Sequence, residues 1–481
     1  MPAPANPLDA IRAVNIPDGR VIQIVFSDNP IMGLPQGDPI TGLPPRTMVS
    51  VILHPAPGSV IRVEIWLPEA HNWNGRFVGL GTGGAAGYIS PHSLSQQLIT
   101  GNAAAFTDMG TSPWANTGIG NPEVWKDWGF RATHLMTVTA KQVVTAFYGK
   151  PAKFSYFLGG STGGQQALQE AQRYPEDYDG IFANVPAHCR TPLHAYFMWN
   201  DQIWKTCPFS EAQDKSVMAA GLEVMGAREI PAFAGRAISD VRVTPADITA
   251  VIANARARDA SLTESHARAL EKILDGPRHA KTGERVFNGV PLGSSLAQAH
   301  GNLFVFQWVF GRDLVWERID WDHDLGQYST TLGPYVDAEN PDLSRFRAGG
   351  GKLLLVTGTA DSVVPAHATV DYYERVAEHV GSIDETRDFA RLFVIPGMTH
   401  GSGPRLTDTF TLLKAWREEG QAPDAIHAHY PAENRHPELA VPLYPYPQKT
   451  GLSVDGGFTA VAGPRGGIER VAARFRHPAK E

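Results

Sequence analysis

Ser161, Asp361 and His400 are residue types that together could cleave an acyl bond. A serine hydroxyl is unreactive at its ordinary pKa. A histidine can take its proton and later hand it to the leaving group, while a carboxylate fixes the imidazole tautomer and stabilises the imidazolium. The settings of the three suggest a common task. Ser161 stands in Gly159-Gly160-Ser161-Thr162-Gly163, a G-x-S-x-G pentapeptide; Asp361 follows Gly358-Thr359-Ala360; His400 follows Pro396-Gly397-Met398-Thr399. A fourth stretch, Gly81-Thr82-Gly83-Gly84-Ala85-Ala86-Gly87, could bring backbone N–H groups up to a developing oxyanion, because glycine lets the main chain come close. The expected donors are the N–H groups of Thr162 and Gly83. Each piece alone has a plainer reading: a helix-cap serine, a turn aspartate, a loop histidine. The glycine loop could also hold a dinucleotide, but G-x-G-x-x-G requires a glycine where Ala86 stands.

The elements that would position these residues are legible around them. Phe154-Ser155-Tyr156-Phe157-Leu158 reads as a buried strand, the pentapeptide as a sharp turn, and residues 165–174 as a helix stopped by Pro175. Such a helix points N–H groups and its positive dipole end at the reacting oxygen. Upstream, residues 21–26, 47–53, 60–67 and 76–80 read as strands, the first three as an antiparallel entry. Residues 121–149 have the spacing of a helix packed on a sheet, with His134 as a packing histidine rather than a catalytic one. Residues 179–186 are a further strand. The apolar runs 349–358 and 391–395, with a helix over 366–380 between them, place Asp361 and His400 just past the carboxyl ends of parallel strands.

Serine, acid and histidine in that order, at strand ends, point to an α/β-hydrolase fold: a mostly parallel sheet flanked by helices. The competing histidines, His367, His427 and His429, do not follow a strand-Pro-Gly turn. Two strands and one or two helices need only about 50 residues, so most of the segment between Ser161 and Asp361 must be an insertion. The expected organisation is a core from 1–187, an inserted lid over 188–330, and the rest of the core from 331–481. The lid's Trp199, Trp204, Trp308, Trp316 and Trp321 read either as ordinary core or as the wall of an aromatic acyl pocket.

Composition excludes several classes. The chain is 43% hydrophobic and 19% charged, which argues a folded protein rather than disorder. A net charge of -7 without basic clusters argues against nucleic acid. No apolar run of about 18 residues is present to span a bilayer. Residues 1–20 have no apolar core of a signal peptide. Cys189 and Cys207 are too few for a disulfide scaffold and lack metal-ligand spacing, so they read as free thiols, with one bridge between them as the alternative. No cofactor and no metal is expected.

The chain resembles the tannase and feruloyl esterase family. The matching residues are Tyr156-Phe157-Leu158-Gly159-Gly160-Ser161-Thr162-Gly163-Gly164-Gln165, Ala171-Gln172-Arg173-Tyr174-Pro175 through Ile181, Phe346-Arg347, Gly350-Gly351-Lys352-Leu353, Asp361, Asp371-Tyr372-Tyr373-Glu374 and Pro396-Gly397-Met398 with His400. Thr107-Asp108, Leu262-Thr263, Thr282-Gly283 and Pro445-Tyr446-Pro447 extend the likeness over most of residues 60–450. It implies a serine hydrolase of small aromatic esters of feruloyl, galloyl or terephthaloyl type. The alternatives are an acyltransferase with the same three residues, or an inert member that binds an aromatic ligand. The family's usual cysteine pair, which staples the nucleophile to the histidine loop, corresponds here to Gly160 and Gly401, and another usual cysteine to Tyr444. The family's Asp-rich calcium loop is not recognisable in 210–244. A member without the staple or a visible signal implies a cytoplasmic location, although most of the family is exported.

Overall fold

The computed structural model describes residues 6–32, 38–112, 116–226, 237–301, 303–430 and 440–476. Nine strands form one sheet: β1 (Gly19–Ser27), β2 (Arg46–Leu53), β3 (Ile61–Pro68), β4 (Arg76–Leu80), β5 (Ala103–Thr107), β6 (Phe154–Gly160), β7 (Gly180–Asn184), β8 (Lys352–Gly358) and β9 (Ala390–Ile395). Their order is β1-β2-β3-β5-β4-β6-β7-β8-β9. The β1-β2-β3-β5 end is antiparallel, and every pairing from β5-β4 to β8-β9 is parallel. Parallel strands need crossovers, and the helices that supply them cover both faces. Apolar runs such as Leu353-Leu354-Leu355-Val356 follow from this, since all four are fully buried.

Two elements depart from the sequence reading. The strand β5, with the helix Pro91–Ile99 before it, was not anticipated. Its sequence is Ala-Ala-Ala-Phe-Thr, without alternation, and alanine is a poor strand former. All five residues are buried between β3 and β4, so tertiary packing selects the small side chains. The helix expected over 121–149 is divided into Pro122–Lys126, a π turn at Asp127–Arg131, and Ala132–Tyr148. Asp127 is buried in that turn, taking hydrogen bonds from Ser59 Oγ (2.5 Å) and Arg131 Nε (2.6 Å). Trp128, within the turn, is fully buried.

Within 188–330 the described residues contribute helices, Arg190–Thr206, Glu211–Gly226, Pro245–Arg258, Glu264–Asp275 and Phe304–Phe310 among them, and no strand of the sheet. The helix Asp324–Val336 runs across residue 330. His427 and His429 lie on a small separate sheet, in the strand Ile426–His429. Among the described residues no helix is long and apolar enough to cross a membrane.

Candidate active site

The turn after β6 holds Ser161 at φ +58° and ψ −116°, a backbone conformation costly for any residue with a Cβ, of the order of 1–3 kcal/mol. The turn is over-determined by its neighbours. The Ser161 N–H donates to the Asn184 carbonyl (2.9 Å), and its own carbonyl accepts from Gly164, Gln165 and Ala187 (3.0, 3.1 and 3.1 Å). Close approach explains the flanking glycines: a Cβ at Gly159 would run into the Gly163 backbone, and one at Gly164 would lie 2.6 Å from Pro186 Cα. The helix Thr162–Arg173 starts at once, one turn earlier than its sequence suggested.

Asp361 and His400 arrive from the ends of β8 and β9. Asp361 is fully buried. Its Oδ1 accepts the N–H groups of Val363 (2.9 Å) and Val364 (2.8 Å), which leaves Oδ2 for His400 Nδ1 at 2.8 Å. A carboxylate there places the ring proton on Nδ1, so Nε2 is the acceptor. That Nε2 stands 3.0 Å from Ser161 Oγ. The three residues named from sequence thus form one hydrogen-bonded line, with the histidine partly open to solvent.

The glycine loop packs against the start of the Ser161 helix. A Cβ at Gly81 would lie 2.6 Å from Gly163 Cα, so a side chain would push the two apart. Thr162 Oγ1 donates to the Gly84 carbonyl (2.7 Å), and Gln166 Oε1 accepts the Thr82 N–H (2.9 Å). Thr162 N–H has no partner among the described residues. The Gly83 N–H, the other expected donor, is given to the Tyr88 hydroxyl (3.1 Å). Sequence reasoning missed Tyr88 and Gln166. Gln166 carried a signal, being a polar residue on the helix face that must pack on the sheet.

A sequence model of the family described as tannase and feruloyl esterase matches residues 48–317 and 319–463. The chain belongs to this family. It is a carboxylic ester hydrolase. It is 29% identical to an uncharacterized esterase of Xanthomonas campestris, over 92% of this chain and 89% of that one. It is also 29% identical to feruloyl esterase B of Aspergillus niger, over 78% and 80%. The crystal structure of feruloyl esterase B from Aspergillus oryzae superposes with a TM-score of 0.80 at 22% identity, covering 94% and 99% of the two chains, a likeness of fold.

In this tannase and feruloyl esterase chain the two staple positions are not crowded. A Cβ at Gly160 would meet only ordinary contacts from 3.6 Å, and one at Gly401 would meet nothing within 4 Å. Hydrogen bonds hold the histidine loop instead. Gly397 N–H donates to Thr359 Oγ1 (2.9 Å), Thr359 Oγ1 donates to the Ile238 carbonyl (2.5 Å), and Tyr430 O–H donates to the Pro396 carbonyl (3.0 Å). Met398 seals the loop beneath. Cys189 and Cys207 are free thiols at the two ends of the helix Arg190–Thr206. At 1.5 Å per residue they stand about 27 Å apart, far beyond disulfide reach of about 7 Å. The alternative of a bridge between them is corrected by that helix. Dithiothreitol is therefore expected to leave both activity and melting temperature unchanged; a drop of several degrees on reduction would contradict this arrangement.

Other sequence candidates fall outside the line. His134 is bonded to Asp177 (2.7 Å) and stacked on Tyr174 at 3.8 Å. His367 is buried in the helix Ala366–Val380, and burial pushes it down to about 4. Trp204 stacks on His300 at 4.6 Å, and Trp199 meets Trp321 edge-on at 5.2 Å. Trp199 lines a cavity of about 1080 Å³ between the helices Pro245–Arg258 and Glu264–Asp275, and Ser161 is not on its wall. Trp308 differs. It packs edge-on against Trp128 at 5.3 Å, and Trp128 Nε1 donates to the Ala85 carbonyl in the glycine loop (3.2 Å).

Among the described residues, three metal-ligand side chains converge at His188, Cys189 and Glu339 and at His134, Glu170 and Asp177. In the first group Glu339 is already committed to Arg375 (2.6 Å) and His188 (2.5 Å). Neither group falls in the 210–244 stretch, of which 227–236 lie outside the described residues.

Proposed function

We propose that this chain hydrolyses small esters of aromatic carboxylic acids through an acyl-enzyme on Ser161. The observation that carries the reading is the line Ser161 Oγ, His400 and Asp361 at 3.0 and 2.8 Å, at the end of a strained strand-to-helix turn. Ser161 Oγ attacks the ester carbonyl carbon while His400 Nε2 takes its proton. The carbonyl oxygen becomes an anion held by the N–H groups of Thr162 and Gly83, with the Tyr88 hydroxyl giving up the second of these on substrate entry. Collapse of the tetrahedral adduct breaks the bond to the alcohol oxygen, which leaves with the proton from His400. Water then repeats the sequence on the acyl-enzyme, and Ser161 is regenerated with release of the acid. Asp361 holds the imidazole and its transient charge throughout. The mechanism calls for no cofactor, metal, nucleic acid or membrane.

The aromatic class rests on the likeness to feruloyl esterase B and on the Trp128–Trp308–Phe304 group packed behind the glycine loop. Residues 188–330 act as the lid, and the buried free Cys189 suits a reducing compartment such as the cytoplasm. Hydrolysis of methyl ferulate, methyl gallate and a terephthalate monoester is compared with that of an acetyl ester. At least one aromatic ester is expected to exceed the acetyl ester about 10-fold in kcat/KM; equal or lower values for all three would reject the aromatic assignment. Trp308→Phe is expected to lower kcat/KM for the preferred aromatic ester by about 5- to 20-fold with a smaller effect on the acetyl ester. Trp204→Phe serves as the distant comparison. Equal losses on both substrates at position 308 would make Trp308 structural.

A further inference from the structure

A buried arginine without a directly bonded carboxylate lies beneath the glycine loop. Arg190, the first residue of the helix Arg190–Thr206, is 3% exposed. Its Nε donates to Gln165 Oε1 (2.7 Å), its Nη2 donates to Thr162 Oγ1 (3.1 Å), and its guanidinium lies 4.8 Å from the centre of the Trp128 ring. Among the described residues no carboxylate is within ion-pair distance of it; the buried Asp337, bonded to Thr191, acts on it only from farther away. Burial lowers its pKa to about 10, so it stays charged at neutral pH. A buried cation whose direct partners are all neutral carries a desolvation cost that a methionine of similar length would not. Packing alone gives no reason for a guanidinium here.

Its geometry supplies a reason. Arginine can only donate, so Thr162 Oγ1 must accept from Nη2, and the hydroxyl's one proton is free for the Gly84 carbonyl at 2.7 Å. From the other side, Trp128 Nε1 holds the next carbonyl, Ala85, at 3.2 Å. The guanidinium, the hydroxyl and the indole thus bracket residues 84–85 against residue 162. Thr162 and Gly83 are the two oxyanion donors of the proposed mechanism, and their spacing depends on this bracket.

We propose that Arg190 is a positioning residue for ester hydrolysis: through the Thr162 hydroxyl it fixes the spacing of the two oxyanion donors and adds a positive field beside the hole. The inference rests on the reading of Ser161 and its oxyanion hole given above. A field and a spacing aimed at the oxyanion matter in the transition state and little in the ground state, so they act on kcat more than on KM.

The test measures kcat and KM for an aromatic methyl ester, with the affinities of an arylboronic acid, which forms a tetrahedral anion on the serine, and of the free aromatic acid. The variants are Arg190→Gln, Arg190→Lys, Thr162→Val and the Arg190→Gln/Thr162→Val double variant. Arg190→Gln is expected to lower kcat by about 10- to 100-fold, with KM changed less than about 3-fold. Boronate affinity should fall by the same factor as kcat and acid affinity should hold. Arg190→Lys, which keeps the charge and loses the fork, should recover part of the loss. Thr162→Val should resemble Arg190→Gln, and the double variant should be little worse than either single. Unchanged kcat in Arg190→Gln, losses that multiply in the double variant, or a raised KM with kcat intact would each overturn the proposal. If Arg190→Gln does not fold, Thr162→Val decides alone, and unchanged boronate affinity there refutes it. Turnover surviving in Ser161→Ala would sink the underlying site reading; an inert Ser161→Ala beside a fully active Arg190→Gln would sink this inference only.

Discussion

Ser161→Ala is expected to lower kcat by about 10⁴- to 10⁶-fold, leaving the fold intact. The loss follows from the hydroxyl being the only group at the elbow placed to receive a carbonyl carbon beside His400 Nε2. The fold should survive because the strained turn is held by main-chain hydrogen bonds, from Ser161 N–H to the Asn184 carbonyl and from Gly164, Gln165 and Ala187 to the Ser161 carbonyl, none of which involves Oγ. Alanine adopts a positive φ elsewhere in this chain, at Ala86 with φ +63°. Steady-state turnover of an aromatic ester, with a melting curve alongside, checks both halves. Activity above about a tenth of wild type would remove Ser161 from the mechanism.

Asp361→Asn is expected to cost about 10⁴-fold in kcat, with KM little changed. The two N–H groups of Val363 and Val364 select which end of the new amide faces them. They require its oxygen, so its NH₂ must point at His400 Nδ1. An NH₂ cannot accept, and the imidazole proton is driven onto Nε2, where it faces Ser161 Oγ as a donor and can take no proton from it. Because the amide fits the same cavity and keeps both backbone bonds, the effect should be catalytic rather than structural. A silent Asp361→Asn would mean that another carboxylate orients His400.

The strand ends were legible because the physics there is local. The apolar runs of β6, β8 and β9 end in glycine-bearing turns, so the sequence places Ser161, Asp361 and His400 together at the carboxyl ends of the strands. What escaped was decided by contacts between distant segments. The alanines of β5 are chosen by the neighbours on either side rather than by strand propensity. The π turn at Asp127–Arg131 depends on a bond from Ser59, far away in sequence. Tyr88 on the Gly83 N–H, Gln166 on Thr82 and Arg190 on Thr162 each act through one side chain reaching across the elbow, and no periodicity marks them. The cysteine question had the opposite character. Spacing left a bridge open, and only the continuous helix between Cys189 and Cys207 closes it.

The central claim, that Ser161 Oγ is the nucleophile and His400 its base, is tested most directly by covalent capture. An aryl phosphonofluoridate forms a P–O bond to an activated serine, fluoride leaves, and the serine proton goes to the base. Peptide mass analysis after reaction with the full-length protein is predicted to find one phosphonyl group per chain, on Ser161, in step with loss of esterase activity. Labelling should be abolished in Ser161→Ala and slowed by orders of magnitude in His400→Ala. A label on any other residue, or full activity in protein already labelled at Ser161, would contradict the account.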